Sequence, residues 1–480
     1  MQCPKRLWLE THRHDLLPEI SPSLQRVFDV GHEVGRIARE RFPGGILVEE
    51  DSAGWSEALA ATSLAIANQA SAIFEGYFQF DGTIARPDVL LRKEDGIYEL
   101  VEVKSNTHSK PEHSWDLAIQ SYVYKGCGLH IGRMLLMHLN SSCRYPDLSD
   151  LFTIEDLSRS VESKLKETPT YLHAFQEIIV SEKEPEERLG SKCFHPYNCP
   201  FFEYCSTLWS LPSASVFNIP HLAAEKRDDL IANGILSLED IPGDYGLGAQ
   251  GERFVRLSRA GEKEIDLQGI RSWLNGLEYP LYFLDFETDA PAIPRLEGLG
   301  PYGAFPFQFS LHVLDRDSPL SESSGYLHMG TSDPRPAVAN ALLEQVGSEG
   351  SLIAYNAPFE KRVIKELAEF IPVHREPLLA TLPRFADLLD VFRKFYFDPA
   401  FGGSNSIKRV LPVLCPDLGY AGLEVADGKA AQSTWARLIA TSDSDEKKRL
   451  AGALRVYCKL DTFAMVRIFQ FLEKILEDRN

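Results

Sequence analysis

The chain has 480 residues, of which 44% are hydrophobic and 25% charged, with a formal net charge of −19. This is the composition of a globular chain with core material for two or three domains; it excludes a disordered or fibrous polymer and argues against nonspecific coating of nucleic acid, which needs clustered Lys and Arg. No run reaches the ~18 uninterrupted apolar residues of a membrane span, and MQCPKRLWLETHRHD lacks the apolar core of a signal peptide, so the reading is a cytoplasmic chain with no membrane partner.

Along the chain, segments 23–41 and 56–74 have helical apolar spacing. Strand-like runs follow at 84–92 and 97–104, separated by the turn-like Lys93-Glu94-Asp95-Gly96, then a helix at 114–125 and a strand at 131–138. A charged, mostly helical stretch, 155–190, leads into a cysteine-containing loop at 193–205. Residues 214–276 form a small unit in which a helix stops at Gly234 before Ile235 and a second short helix follows, either a helix-hairpin-helix-like connector or a plain packing linker. From 279 the pattern changes to strands at 279–288, 305–314 and 351–355, a helix at 358–370 and a long final helix at 446–476.

The strand Tyr282-Phe283-Leu284-Asp285-Phe286-Glu287-Thr288 carries acids at i and i+2, which point to one face. An apolar strand holds two converging anions only if a cation neutralises them, and a divalent metal serves. Tyr457 and Asp461 lie four apart on the final helix and share a face. Between them in sequence, Asn356-Ala357-Pro358-Phe359-Glu360 brings a further acid at a helix start, with Asp387 and Asp390 as backup ligands or as acids favouring a helix N-terminus. Order, element type and spacing resemble the DEDDy family of 3′→5′ exonucleases, which have an RNase H-like fold, over roughly residues 279–476. That resemblance implies two-metal hydrolysis with Mg²⁺ or Mn²⁺. Asp285 would bridge both ions, Glu287 and Asp461 would share the water-activating ion, Glu360 would hold the second through water, and Tyr457 would position the nucleophile. Glu360 departs from the family's Asp by one methylene. The loop Gly402-Gly403-Ser404-Asn405-Ser406-Ile407-Lys408 before a helix reads either as a phosphate cradle or as a plain loop and cap.

In the N-terminal part, Pro87-Asp88 starts one strand and Glu102-Val103-Lys104 ends the next. In E-x-K the acid ligates a metal and the Lys stabilises charge on the phosphorane or orients water. Gln120 and Tyr124 share a helix face, and His32 sits in an early helix as a further candidate ligand. This set resembles the PD-(D/E)xK superfamily, in particular its RecB-like branch, and implies a second nuclease site with metal on His32, Asp88 and Glu102 and with Lys104, Gln120 and Tyr124 in the catalytic set; such domains also persist as binding modules.

Cys193, Cys199 and Cys205 follow C-x5-C-x5-C, with Cys3 at the far N-terminus. One distant Cys plus a trio is similar to iron–sulfur RecB-like nucleases, which implies a 4Fe–4S cluster; four thiolates also suit zinc, with His195 as a substitute ligand. Cys127, Cys143, Cys415 and Cys458 fit no such spacing and read as buried thiols. The whole resembles an uncharacterised bacterial family that fuses these two domain types.

The fold class is therefore α/β: an N-terminal PD-(D/E)xK restriction-endonuclease-like domain (1–212), a helical connector (213–276) and a C-terminal RNase H-like exonuclease domain (277–480). The expected function is a metal-dependent nuclease acting on DNA, single-stranded or with free ends, in repair or mobile-element defence. The alternatives are a nucleic-acid-binding scaffold with inactive sites and an RNA exonuclease.

Overall fold

Alternation along the strand Tyr98–Lys104 organises the first sheet: Tyr98 and Leu100 enter one core and Val101 and Val103 the other. In a computed structural model of the chain, residues 2–49, 54–316 and 319–478 are described, and they form a mixed α/β architecture with several sheets. Two compact units are formed, Met1–Glu187 with Ala290–Ala304, and Arg188–Asp289 with Phe305–Asn480. The sequence had suggested divisions at 212/213 and 276/277.

The first unit contains β1 (Ile46–Leu47), β2 (Ala72–Phe74), a small hairpin of β3 (Phe78–Phe80) and β4 (Thr83–Ala85), then β5 (Val89–Arg92), β6 (Tyr98–Lys104), β7 (Ile131–Leu139) and β8 (Phe152–Asp156). Six of them make a sheet in the order β1-β2-β5-β6-β7-β8. The β1/β2 and β6/β7 pairs are parallel and the other pairs antiparallel. Helices Trp55–Ala67, Pro111–Gly126 and Ser158–Leu165 contribute Ala58, Leu117, Tyr124 and Val161 to the core on one face. Ala38 of helix Pro22–Arg39 packs with Val89 and Val101 on the other.

Two expectations are corrected here. The helix at 56–74 ends at Ala67, and Ala72–Phe74 is a buried strand, because Gln69 takes φ +55° and turns the chain. The strand at 84–92 is two strands, β4 and β5, parted around Pro87, which cannot donate to a ladder.

The second unit opens on a small helical segment. Helix Ala224–Ala232 stops where Gly234 takes φ +79° and the Ile235 N–H donates to Leu230 O at 2.9 Å, a Schellman-type stop. The second helix is a short 3-10 turn, Leu238–Asp240, and Ala249–Ala260 follows. Val216, Leu230, Leu238 and Phe254 are buried together.

The second unit's strands are β9 (Glu264–Ile265), β10 (Leu281–Asp289), β11 (Phe305–Leu314), β12 (Ser324–Leu327), β13 (Ser351–Ala354), β14 (Phe385–Asp387) and β15 (Tyr396–Phe397). Five form a sheet ordered β12-β11-β10-β13-β14. β11 runs antiparallel to both β12 and β10, and β13 and β14 run parallel to β10. On β10, Tyr282, Leu284 and Phe286 pack with Val338, Val363 and Ile364 of helices Arg335–Gln345 and Pro358–Phe370. Leu281 and Phe283 face the other way, onto Met465, Phe469 and Leu472 of the long helix Ser444–Glu477. Asp285 and Glu287 continue this second face. Each fully buried Leu or Phe there contributes roughly 1.5–3 kcal/mol, which holds the helix against the strand that bears the acids.

Candidate metal centre and nucleic-acid site

The acids meet where three parallel strands end. β10 delivers Asp285 and Glu287. β13 ends at Ala354 and leads through Tyr355 and Asn356 into helix Pro358–Phe370, whose first turn carries Glu360. The register shift at Glu287/Thr288 marks a bulge at the edge of the site. The long helix supplies Tyr457 and Asp461, both buried. Crevices beyond the carboxyl ends of parallel strands are where open α/β sheets bind ligands.

The electrostatics are those of crowded, buried carboxylates. Burial, and then the charges of Asp461, Glu287 and Glu360, push Asp285 well above the usual carboxyl range. Glu287 is raised by burial and by Asp461, with Lys408 opposing. Burial pushes Glu360 up to about 8 and Asp461 up to about 6; for Asp461 the Tyr420 hydroxyl and Lys408 pull the other way. Glu360 is 2% exposed, and among the described residues its Oε2 has no hydrogen-bond partner. A buried carboxylate oxygen without a donor is costly unless a cation satisfies it. The donor set is all oxygen, which suits Mg²⁺ or Mn²⁺. The Cys458 Sγ also lies with carboxylate oxygens of Asp285 and Glu287, all within 4.8 Å of one another. Burial and those same acids hold its proton on, so it lines the site as a neutral thiol rather than a thiolate ligand.

Two further residues enter this site: Tyr420, which no motif spacing marks, and Lys408, the last residue of the 402–408 loop. The Tyr420 hydroxyl donates to Asp461 Oδ1 at 2.6 Å. The Lys408 ammonium lies over the rings of Tyr420 and Tyr457, 5.2 and 5.7 Å from their centroids. Of the backup acids, Asp387 stands near enough for its charge to raise Glu360. Asp387 Oδ1 accepts the N–H groups of Asn356 and Leu389, clamping the β13 end to β14. Asp390 pairs with Lys394 at 2.7 Å and with Arg393 at 3.8 Å on the surface. In the 402–408 loop, a Cβ on Gly403 would stand 1.9 Å from Asn218 O. That glycine thus serves a close backbone approach.

In the first unit the register pairs Val89 with Val101 and Leu90 with Leu100, which brings Asp88 to the end of β6. Asp88 Oδ2 accepts the Val103 N–H at 2.6 Å. Glu102 Oε2 accepts from Gln120 Nε2 at 2.6 Å, and Tyr124 donates to Gln120 Oε1 at 3.2 Å. Lys104 Nζ sits 2.7 Å from Glu102 and 3.1 Å from Asp116. Burial works against the Lys104 ammonium, but those two carboxylates outweigh it and raise its pKa. Asp88 is pushed well up by burial, then by Glu102. Five of the six residues singled out in this unit therefore come together. His32 is exposed on helix Pro22–Arg39 and, among the described residues, makes no hydrogen bond or ion pair to them. Glu75 joins them unannounced: it takes φ +55°, its charge raises Asp88, and Arg39 and Arg86 stand 3.6 and 3.4 Å from its carboxylate.

Cys3 precedes helix Pro4–His12 in the first unit. In the second unit the Cys199 N–H donates to Cys193 O at 2.8 Å, and Cys205 lies on helix Phe202–Leu208, so all three half-buried thiols share one short loop-helix segment. Among the described residues, no helix is long and apolar enough to cross a membrane.

Residues 282–406 match the family described as "Domain of unknown function (DUF2779)"; the match takes in Asp285, Glu287 and Glu360 and ends before Tyr457 and Asp461. The chain is 28% identical over 228 residues to the uncharacterized protein MG366 homolog of Mycoplasma pneumoniae, covering 43% of this chain and 34% of that protein. It is 26% identical over 226 residues to the uncharacterized protein MG366 of Mycoplasma genitalium (43% and 34%) and 27% over 219 residues to the uncharacterized protein UU173 of Ureaplasma parvum serovar 3 (41% and 31%). The chain spans about a third of the length of these curated relatives. Among solved structures it matches "Crystal structure of SSO0001" at 14% identity and a TM-score of 0.19, over 43% of this chain and 82% of that one, a score too low to speak for a shared fold.

Proposed function

We propose that the chain is a metal-dependent phosphodiester hydrolase, a 3′→5′ exonuclease acting on DNA ends through Asp285, Glu287, Glu360, Tyr457 and Asp461. The observation that carries this is the orphaned, buried Oε2 of Glu360 among three further carboxylates that repel one another. Three antiparallel strands extended by two parallel ones support the RNase H-like reading. Bound Mg²⁺ or Mn²⁺ supplies a water of lowered pKa and offsets charge on the attacking and leaving oxygens. Asp285, Glu287, Glu360 and Asp461 would hold the metal. Burial and the neighbouring acids keep the Tyr457 proton in place, and its hydroxyl hydrogen-bonds to Asp461, so it would position a water and does not serve as a base. Tyr420 fixes the rotamer of Asp461 through its hydrogen bond.

The Asp88, Glu102, Lys104, Gln120 and Tyr124 cluster supports a second, PD-(D/E)xK-type site. There Lys104 contributes standing positive charge, because Glu102 and Asp116 keep it protonated. The proposal also gives Cys193, Cys199 and Cys205 a soft metal, iron in a 4Fe–4S cluster or zinc. Anaerobically purified protein that is brown with a broad blue-region band means iron, and a colourless protein containing zinc means zinc; neither metal present sinks this part.

The deciding experiment incubates purified protein with end-labelled single-stranded DNA and RNA, with and without Mg²⁺ or Mn²⁺. Stepwise shortening of DNA from the 3′ end is expected. Retention of the strand without cleavage would favour a binding scaffold, and preference for RNA would change the substrate.

A further inference from the structure

Lys408 occupies an unusual position for a surface lysine. It stands at the second position of helix Ile407–Leu414, yet its ammonium reaches across to Ala426 O, 2.7 Å away. There it lies over the rings of Tyr420 and Tyr457, which line the acid cluster. Tyr420 in turn donates to Asp461 Oδ1 at 2.6 Å, which sets the ammonium beside the acid cluster. Even so, among the described residues Lys408 makes no ion pair, so it is not a direct counter-ion of those acids. An ammonium has three donors, of which Ala426 takes one. A fixed, solvent-reachable cation is thus held near the buried carboxylates but beyond salt-bridge distance from them. Its remaining donors suit an anionic oxygen of a group that the acids would hold through metal.

We propose that Lys408 is a catalytic residue of this site, contacting a non-bridging oxygen of the scissile phosphate. The inference rests on the nuclease reading above and extends it to the residue that meets the substrate's charge. In the hydrolysis, a water oxygen forms a new bond to phosphorus and the bond from phosphorus to the 3′ oxygen of the penultimate nucleotide breaks. The proton lost by the water and the one gained by the leaving oxygen both exchange with solvent. Lys408 takes part in neither transfer; it offers charge where negative charge grows on the phosphoryl oxygens. Tyr420 and Tyr457 serve as the aromatic faces that hold the ammonium in place.

The test compares wild type with Lys408→Met and Lys408→Arg, using single-turnover cleavage of end-labelled single-stranded DNA in Mn²⁺, and Mn²⁺ affinity by electron paramagnetic resonance without DNA. The expected result is a loss of about 100-fold in the single-turnover rate for Lys408→Met, with KM changed by less than about 3-fold, and partial recovery in Lys408→Arg. Mn²⁺ should bind Lys408→Met several-fold more tightly, since a repelling cation is gone, which a purely structural lysine would not produce. A rate within about 3-fold of wild type, or a loss confined to KM, overturns the proposal. Should Lys408→Met fail to fold, Lys408→Gln carries the same comparison. If wild type cleaves neither DNA nor RNA, the nuclease reading falls. In that case unchanged Mn²⁺ affinity in the variants also removes Lys408 from the metal's surroundings.

Discussion

Glu360 is the residue whose environment can be tested without any substrate. Its folded pKa, about 8, lies above the ordinary carboxyl value because burial disfavours the charged form. A raised acid contributes stability that is fully present below the unfolded pKa, near 4.5, and is lost as pH rises through about 8. The metal-free protein should therefore lose melting temperature between pH 5 and pH 8.5, and Glu360→Gln should flatten that loss. Saturating Mg²⁺ or Mn²⁺ should restore stability to wild type at pH 8 and do less for the variant, because a ligand that binds only the folded state stabilises it by mass action. Scanning calorimetry across this pH range in chelator and in metal reads both effects. An equal slope in the two proteins would mean that Glu360 is not the acid whose titration sets the loss. At this scale the sequence was a good guide to residues whose partners lie two or four positions away. Asp285 with Glu287, and Tyr457 with Asp461, are tied by strand and helix periodicity. Tyr420, Asp116 and Glu75 are not legible, because each reaches its site by a tertiary contact that no local period encodes, and Lys408 is legible only as the end of a glycine loop.

At the scale of elements, the loop before helix Ile407–Leu414 separates two explanations for a glycine pair. Gly402 takes φ +67° and has nothing within 4 Å of a would-be Cβ, so Gly402→Ala carries only the backbone strain of a left-handed residue, about 1 kcal/mol. Gly403 takes φ +80° and also meets Asn218 O, so Gly403→Ala must push the loop away from that backbone and should cost roughly 2–4 kcal/mol. Chemical denaturation of the two variants reads the difference; equal losses would return the loop to a purely conformational role. The same close approach accounts for the cradle-like glycines of this loop: glycine answers both needs, and the neighbour here is the Asn218 carbonyl. Elsewhere elements were legible where one periodicity ran unbroken. The long helix Ser444–Glu477 and the strands β6, β7, β10 and β11 are close to their expected limits. The short β12 and β14 escaped notice, because three or four residues do not establish an alternation.

For the molecule as a whole, the central claim is that two acid clusters lie on one chain and share no residues. The mixed α/β class was readable from the order of patterns, but contact between distant segments was not: Ala290–Ala304 belongs with the first unit although it falls between β10 and β11. Its Leu299 carbonyl accepts the Tyr145 N–H at 2.9 Å, and the Tyr302 hydroxyl donates to Ser105 O at 2.8 Å. Such an excursion leaves no compositional mark. If both clusters hydrolyse phosphodiesters, Asp285→Asn alone should abolish stepwise 3′ shortening yet leave a slower, metal-dependent cleavage of the same strand. Glu102→Gln alone should remove that slower cleavage and leave the 3′ ladder within about 3-fold of wild type, as expected of sites that do not share partners. The double variant should be inert with either metal. Time courses on one substrate labelled at either end distinguish the two product patterns. If Asp285→Asn is as dead as the double variant, the first-unit cluster is not a hydrolytic centre toward that substrate, and its Lys104, already committed to Glu102 and Asp116, is better understood as part of a binding surface.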